Sequence, residues 1–262
     1  MNPKLSISIL AATIVSAFGF PANAQLIDPV RSFVGGVEES VTSLTDDRKQ
    51  LLNGVVDYVL TRAKGGTHAK LVFICTHNSR RSHLAQIWCQ TAAAHYSVPG
   101  VETYSGGTEA TACNIRTVHA LRRAGLSAVA SSQGDNPTYL VQYSDLHPPI
   151  RAFSKIFSAR CNPTSGFAAI LCCSQADKQC PVVSGADGRF SLQYEDPKLA
   201  DGTPEEAMRY DDRSFQIAQE MFYVMLEVSK RLNGCNGDSK QCATPAPPKG
   251  DLDNGELVPA GK

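Results

Sequence analysis

Apolar positions along the chain follow two rhythms. From Asp46 to Lys64 they recur at three and four, through Leu51, Leu52, Val55, Val56, Val59 and Leu60, with Thr45 ahead as a cap; this predicts an amphipathic helix. Lys70 to Ile74 is instead a short unbroken apolar run, the mark of a strand buried on both faces. Helical spacing returns from Ser82 to His95 through Leu84, Ala85, Trp88 and Ala92. "VETYSGG" reads as a second strand, Asn114 to Ala124 as a helix stopped by Gly125, and "FAAILCC" (Phe167 to Cys173) as a third strand. Phe190 to Tyr194 reads as a fourth strand and Pro204 to Leu232 as a long closing helix.

Strands alternating with helices predict an α/β fold, a doubly wound parallel sheet of about four strands with helices on both faces. In such sheets the ligand site lies beyond the carboxyl ends of the strands. Residues 45–232 form the expected domain. Within it, residues 132–166 hold four prolines and the alternating "TYLVQYS", so they read as an inserted hairpin or loop of no evident role.

The ends have a different character. "MNPKLSISILAATIVSAFGFPANAQ" has one lysine, an uncharged run from Leu5 to Phe20, then Ala22-Asn23-Ala24. That layout predicts a secretory signal over residues 1–24, cleaved after Ala24, and an exported protein, periplasmic or secreted. The run is short for a membrane span, which needs about 20 apolar residues, so no stable span is expected after cleavage. Residues 25–44 read as a linker, and residues 233–262, rich in Gly, Pro and charge, as a disordered tail. The 25 basic and 25 acidic residues cancel, so composition gives no argument for nucleic acid or an anionic membrane as partner.

The segment "LVFICTHNSRRSHLAQIW" ends a buried strand on a thiol, Cys75, and follows it with two arginines and a helix. A strand-to-helix turn of this kind aims the backbone amides of Thr76, His77, Asn78, Ser79, Arg80 and Arg81, and the helix N-terminus, at one point above the sulfur. Arg81 adds a guanidinium fork that matches two oxygens of a tetrahedral anion. The same positive field favours thiolate over thiol, and Ser82 is placed to donate a hydrogen bond to it. The expected chemistry is nucleophilic attack by Cys75 on a bound oxyanion.

"VFICTHNSRRSHLAQ" resembles the phosphate-binding loop of the low-molecular-weight protein tyrosine phosphatases and of the thioredoxin-coupled arsenate reductases that share their fold. The similarity continues through "YSGGTEATACNIRTVHAL", "LCCSQADKQCP" and "YEDPKLADGTPEE", four ordered blocks across most of residues 70–232. The resemblance implies Cys75 as nucleophile, Arg81 and the 76–81 amides as cradle, Asn78 as a loop brace, Ser82 as thiolate stabiliser, Asp196 as general acid, and Ser105 as a hydrogen-bonding support of the cradle. It also marks two departures. Arg80 stands where both families often have a small residue or cysteine. His77 stands where glycine is usual, which would bring strain if the loop needs a positive φ there.

"CSQADKQCP" sets Cys173 and Cys180 six residues apart at the end of the third strand, similar to the redox segment of the arsenate reductases. By that resemblance Cys75 attacks arsenate, Cys173 attacks the adduct to release arsenite, and Cys180 takes over the disulfide, with a thioredoxin-type protein as reductant. A fixed Cys173–Cys180 structural disulfide is the competing reading, since export favours one. Export also favours an ester phosphatase, which needs no electron donor, acting on a phosphorylated substrate through Cys75, Arg81 and Asp196. A third reading is a non-catalytic module that binds phosphate or a partner. Cys235 and Cys242 repeat the spacing in the tail, and Cys89, Cys113 and Cys161 read as buried or half-buried. Cys172 is expected to pack in the core. No metal or cofactor is expected: His83, His95 and His119 share no ligand spacing and read as surface or helix-edge residues.

Overall fold

A computed structural model describes residues 26–180 and 182–234. The chain runs through α1 (Asp28–Ser40), α2 (Asp46–Lys64), β1 (Ala69–Cys75), α3 (Arg81–His95), β2 (Val101–Gly107) and α4 (Ile115–Arg123). It continues through β3 (Ser127–Ala130), β4 (Tyr139–Gln142), β5 (Ile150–Ala152), β6 (Phe167–Leu171), α5 (Ser174–Gln179), β7 (Ala186–Ser191) and α6 (Glu206–Gly234).

The expected α/β architecture is present: β2, β1, β6 and β7 lie side by side in that order as a parallel sheet, flanked by helices. Leu71, Val72, Phe73 and Ile74 of β1 are all fully buried, each stabilising the fold by roughly 1.5–3 kcal/mol. A strand covered on both faces accounts for the unbroken apolar run. Because the chain passes from β1 to β2 on one side and returns to β6 on the other, the strand order reverses beside β1, the place where such sheets hold a ligand beyond the carboxyl ends of their strands. Cys75 closes β1, and Cys173 follows β6 by two residues.

The linker expected over residues 25–44 is instead largely helical. Leu26, Val30, Val34, Val37 and Val41 are buried, and Phe33 stacks on Trp88 at 4.9 Å and meets Phe215 edge-on at 5.7 Å. Their spacing of three to four residues is an amphipathic signal that Gly35 and Gly36 obscure. Pro29 sits in the first turn of α1, where its missing N–H costs nothing. The fourth strand is Ala186–Ser191, earlier than the apolar pattern suggested, because β7 is an edge strand with one half-exposed face. The inserted region is a three-stranded antiparallel sheet, β3-β4-β5, that begins before residue 132.

His83 and His95 are not surface residues: both are buried, His95 against Glu38 at 2.9 Å. Cys161 is exposed, whereas Cys89 and Cys113 are buried as expected. No helix among the described residues is long and apolar enough to cross a membrane. Of the tail expected over residues 233–262, Asn233 and Gly234 are instead the last turn of α6; the signal reading over residues 1–24 and the rest of the tail, with Cys235 and Cys242, lie outside the described residues.

Candidate active site

The loop after β1 is held by its carbonyl groups. The Cys75 carbonyl accepts from Thr108 N at 3.1 Å, that of Thr76 from Glu109 N at 2.8 Å, and that of Ser79 from Asn114 N at 3.0 Å. The His77 carbonyl accepts from Ser154 Oγ at 2.8 Å and Thr111 Oγ1 at 3.3 Å. The amides of residues 76–82, by contrast, donate to no acceptor among the described residues. A loop pinned by its outward carbonyls with its N–H groups unspent, running into the unsatisfied first turn of α3, is an anion cradle.

Asn78 shapes it. Its φ is 43°, in the left-handed region, where Asn is among the most tolerant non-glycine residues. The strain expected at His77 therefore falls one residue later, on a side chain suited to it. Asn78 Nδ2 donates to Ser82 Oγ at 2.9 Å, and Asn78 Oδ1 accepts from Lys155 N at 3.0 Å. Ser82 Oγ lies 3.0 Å from Cys75 Sγ, with its own proton free to point at the sulfur. His77 faces outward, 3.5 Å from Glu109.

Gly107, paired with Cys75 in register, makes the close approach possible. A Cβ there would lie 2.2 Å from the Glu109 carbonyl oxygen and 2.7 Å from Asn78 N.

The arginines are engaged with Asp196. Arg81 donates one nitrogen to Asp196 Oδ2 at 2.7 Å and another to the Tyr194 carbonyl at 3.1 Å, while Arg80 Nε donates to Asp196 Oδ1 at 2.8 Å. Burial alone would push the Asp196 carboxyl up, but the two guanidinium groups outweigh it and hold the carboxyl below its ordinary range. The residue expected as a general acid is thus a doubly paired carboxylate at the mouth of the cradle.

Cys173 lies against the same loop. Its Sγ is 3.5 Å from Thr76 Oγ1 and accepts from Ala176 N at 3.4 Å, capping α5. Cys180 ends that helix and is buried, and burial raises its thiol above the ordinary range. Cys172 is fully buried, as expected for a core residue; burial first, then the nearby Cys75 and Cys173 charges, raise its thiol further. That makes Cys172 a poor nucleophile and leaves Cys173 as the second sulfur.

Several supporting residues escaped the sequence reading. Ser154, Lys155 and Asn136 of the inserted region latch the cradle from behind: Ser154 Oγ holds the His77 carbonyl and accepts from Thr111 N, while Asn136 brackets Ser154 through its backbone. Ser105 does not reach the cradle. It sits behind, between His83 Nδ1 at 3.3 Å and Lys155 Nζ at 3.4 Å. Burial first, and then the Lys155 charge, push His83 down to about 3, so its ring is neutral. No local signal marks these residues, because their contacts span 18 to 77 positions of sequence.

No protein-family model matches the chain. It is 29% identical over 136 residues, 52% of this chain and 79% of the relative, to an arsenate reductase of Shouchella clausii. It is 26% identical over 136 residues, with the same coverage, to an arsenate reductase of Halalkalibacterium halodurans. A low-molecular-weight phosphotyrosine phosphatase of Vibrio cholerae aligns with 60% of this chain and 94% of its own at 10% identity and a TM-score of 0.41, too low to weigh. The non-catalytic reading falls away, and what remains is a cysteine-dependent enzyme. By sequence the chain is similar to curated arsenate reductases, in keeping with the superfamily in which low-molecular-weight protein tyrosine phosphatases and arsenate reductases share a fold.

Proposed function

We propose that the protein reduces arsenate to arsenite through a relay of Cys75, Cys173 and Cys180. Cys75 bonds to arsenic and one arsenate oxygen leaves as water. Cys173 then attacks Cys75 Sγ, a sulfur–sulfur bond forms, and arsenic departs with the electron pair of its bond to sulfur as arsenite. Cys180 attacks Cys173 in turn, which frees Cys75, and a thioredoxin-like dithiol reduces the Cys173–Cys180 disulfide.

The observation behind this reading is the seat of Cys173: its sulfur touches the first residue of the cradle and accepts from Ala176 N at the start of α5. The relatives' names support the same choice. Cys173 and Cys180 are both thiols here, at opposite ends of α5. At 1.5 Å rise per residue their Cα atoms stand about 10 Å apart, whereas a disulfide needs less than about 7 Å. The last exchange therefore requires α5 to unwind, which suits a transient disulfide better than a fixed one.

The proposal includes export, with cleavage after Ala24, and therefore a thioredoxin-like donor outside the cytosol. Ester hydrolysis through a phosphocysteine is the second reading, favoured by its use of the same Cys75 and Arg81 with no need of an electron donor. The two separate in Cys173→Ser of the chain from Gln25 onward. Arsenate-dependent consumption of reductant should stop in that variant, while hydrolysis of p-nitrophenyl phosphate should not. Undiminished arsenate turnover would refute the relay.

A further inference from the structure

Arg80 departs from the usual residue of the loop, and among the described residues its side chain makes one hydrogen bond, from Nε to Asp196 Oδ1. We propose that Arg80 keeps Asp196 as a carboxylate while substrate is bound, and so restricts the site to oxyanions whose departing oxygen needs no proton from the protein. This inference rests on the roles given above to Cys75 and Asp196, and it names the substrate class of that site.

The geometry separates the two arginines. Arg81 binds Oδ2 and Arg80 binds Oδ1, so an entering oxyanion that takes the Arg81 fork leaves the Arg80 contact intact. Lys198 N also donates to Oδ1, at 3.2 Å. Arg80 itself is buried and its side chain is nine-tenths hidden from solvent, so its charge is poorly screened. Tyr210 and Arg213 of α6 and Glu195 on the Asp196 loop lie nearby, Asp201 accepts from Tyr210, and Glu205, Arg209 and Asp212 line the same pocket as Asp196; Glu195 faces out and pairs with Arg213. A proton on Asp196 would face two cations.

The consequence differs between substrates. When Cys75 attacks a phosphate monoester, the sulfur–phosphorus bond forms, the ester oxygen leaves with its bonding pair, and a poor leaving group must collect a proton from an acid as it departs. A carboxylate has none to give. When the Cys75 thiolate meets dihydrogen arsenate, the sulfur–arsenic bond forms as one arsenate hydroxyl leaves as water with the proton of the other, so no proton from Asp196 is needed. Esters of phenol, whose pKa is about 10, are disfavoured, and those of p-nitrophenol, a stable anion, much less so.

The test is the ratio of kcat/KM for p-nitrophenyl phosphate to that for phenyl phosphate, in the unmodified chain, Arg80→Ala, Arg80→Gln, and each of these combined with Asp196→Asn. General acid catalysis contributes about 100-fold or more, so freeing Asp196 should narrow the ratio at least about tenfold in both Arg80 variants. Adding Asp196→Asn should restore the wide ratio. A fold or cradle defect lowers both esters together and leaves the ratio unmoved, and a defect in one Arg80 variant leaves the other to report. An unchanged ratio in both, or a narrowing that survives Asp196→Asn, overturns the proposal. None of these reactions uses Cys173, so failure here is distinct from failure of the relay, which Cys173→Ser reports.

Discussion

Asn78 offers the sharpest test of how the cradle is built. Replacing it with alanine removes two hydrogen bonds made by a fully buried side chain, to Ser82 Oγ and from Lys155 N. Each is worth about 1 kcal/mol net, and the stranded Lys155 N–H adds a desolvation cost of about 1–3 kcal/mol. Alanine at φ 43° adds about 1 kcal/mol of backbone strain. The sum is a destabilisation of about 4–6 kcal/mol, or roughly 10–20 °C in melting temperature for a domain of this size. Asn78→Gly loses the same hydrogen bonds without the left-handed penalty, so it should recover about 1 kcal/mol relative to alanine. Urea unfolding of the two variants beside the unmodified chain measures both quantities. Equal stabilities for alanine and glycine would refute the strain argument, and a loss below about 1 kcal/mol in both would refute the brace.

Two further outcomes follow from the same region. His83 is held neutral in the fold, at about 3 against an ordinary 6.5, so the unfolded chain binds the extra proton between those values and stability falls as pH drops from 6.5 toward 3; His83→Gln should flatten urea midpoints across that window. Gly107→Ala places a Cβ 2.6 Å from the Thr76 carbonyl oxygen, so the loop must shift, and the turnover of Cys75 substrates should fall by about 100-fold, measured as kcat/KM; activity within threefold would show that the cradle tolerates displacement.

Much of the fold was legible because its signals are local. An apolar run as short as that of β1, too short for a buried helix, fits a strand covered on both faces, and the 3.6 spacing around Val55 and Val59 or Met221 and Met225 serves one buried helix face. The thiol, Arg81 six positions later and the helix beyond likewise sit within one turn of chain, so the placing of Ser82 beside Cys75 was readable from sequence. α1 was missed although its valines recur at helical spacing, because paired glycines weaken the propensity and only packing against Trp88 and Phe215 restores it.

The rest was decided by contacts between distant segments. Sequence placed a carboxylate at Asp196 and a spare arginine at position 80, but only the fold joins them across 116 positions and sets the carboxyl below its ordinary range. It could not give the inserted sheet a role, since Ser154 and Lys155 reach the cradle 77 positions away through atoms that no pattern marks. Periodicity and composition fix what each segment buries, because burial is an average over a face. Which polar atoms meet depends on the relative placement of whole elements, and the protonation of Asp196 and His83 depends on those meetings.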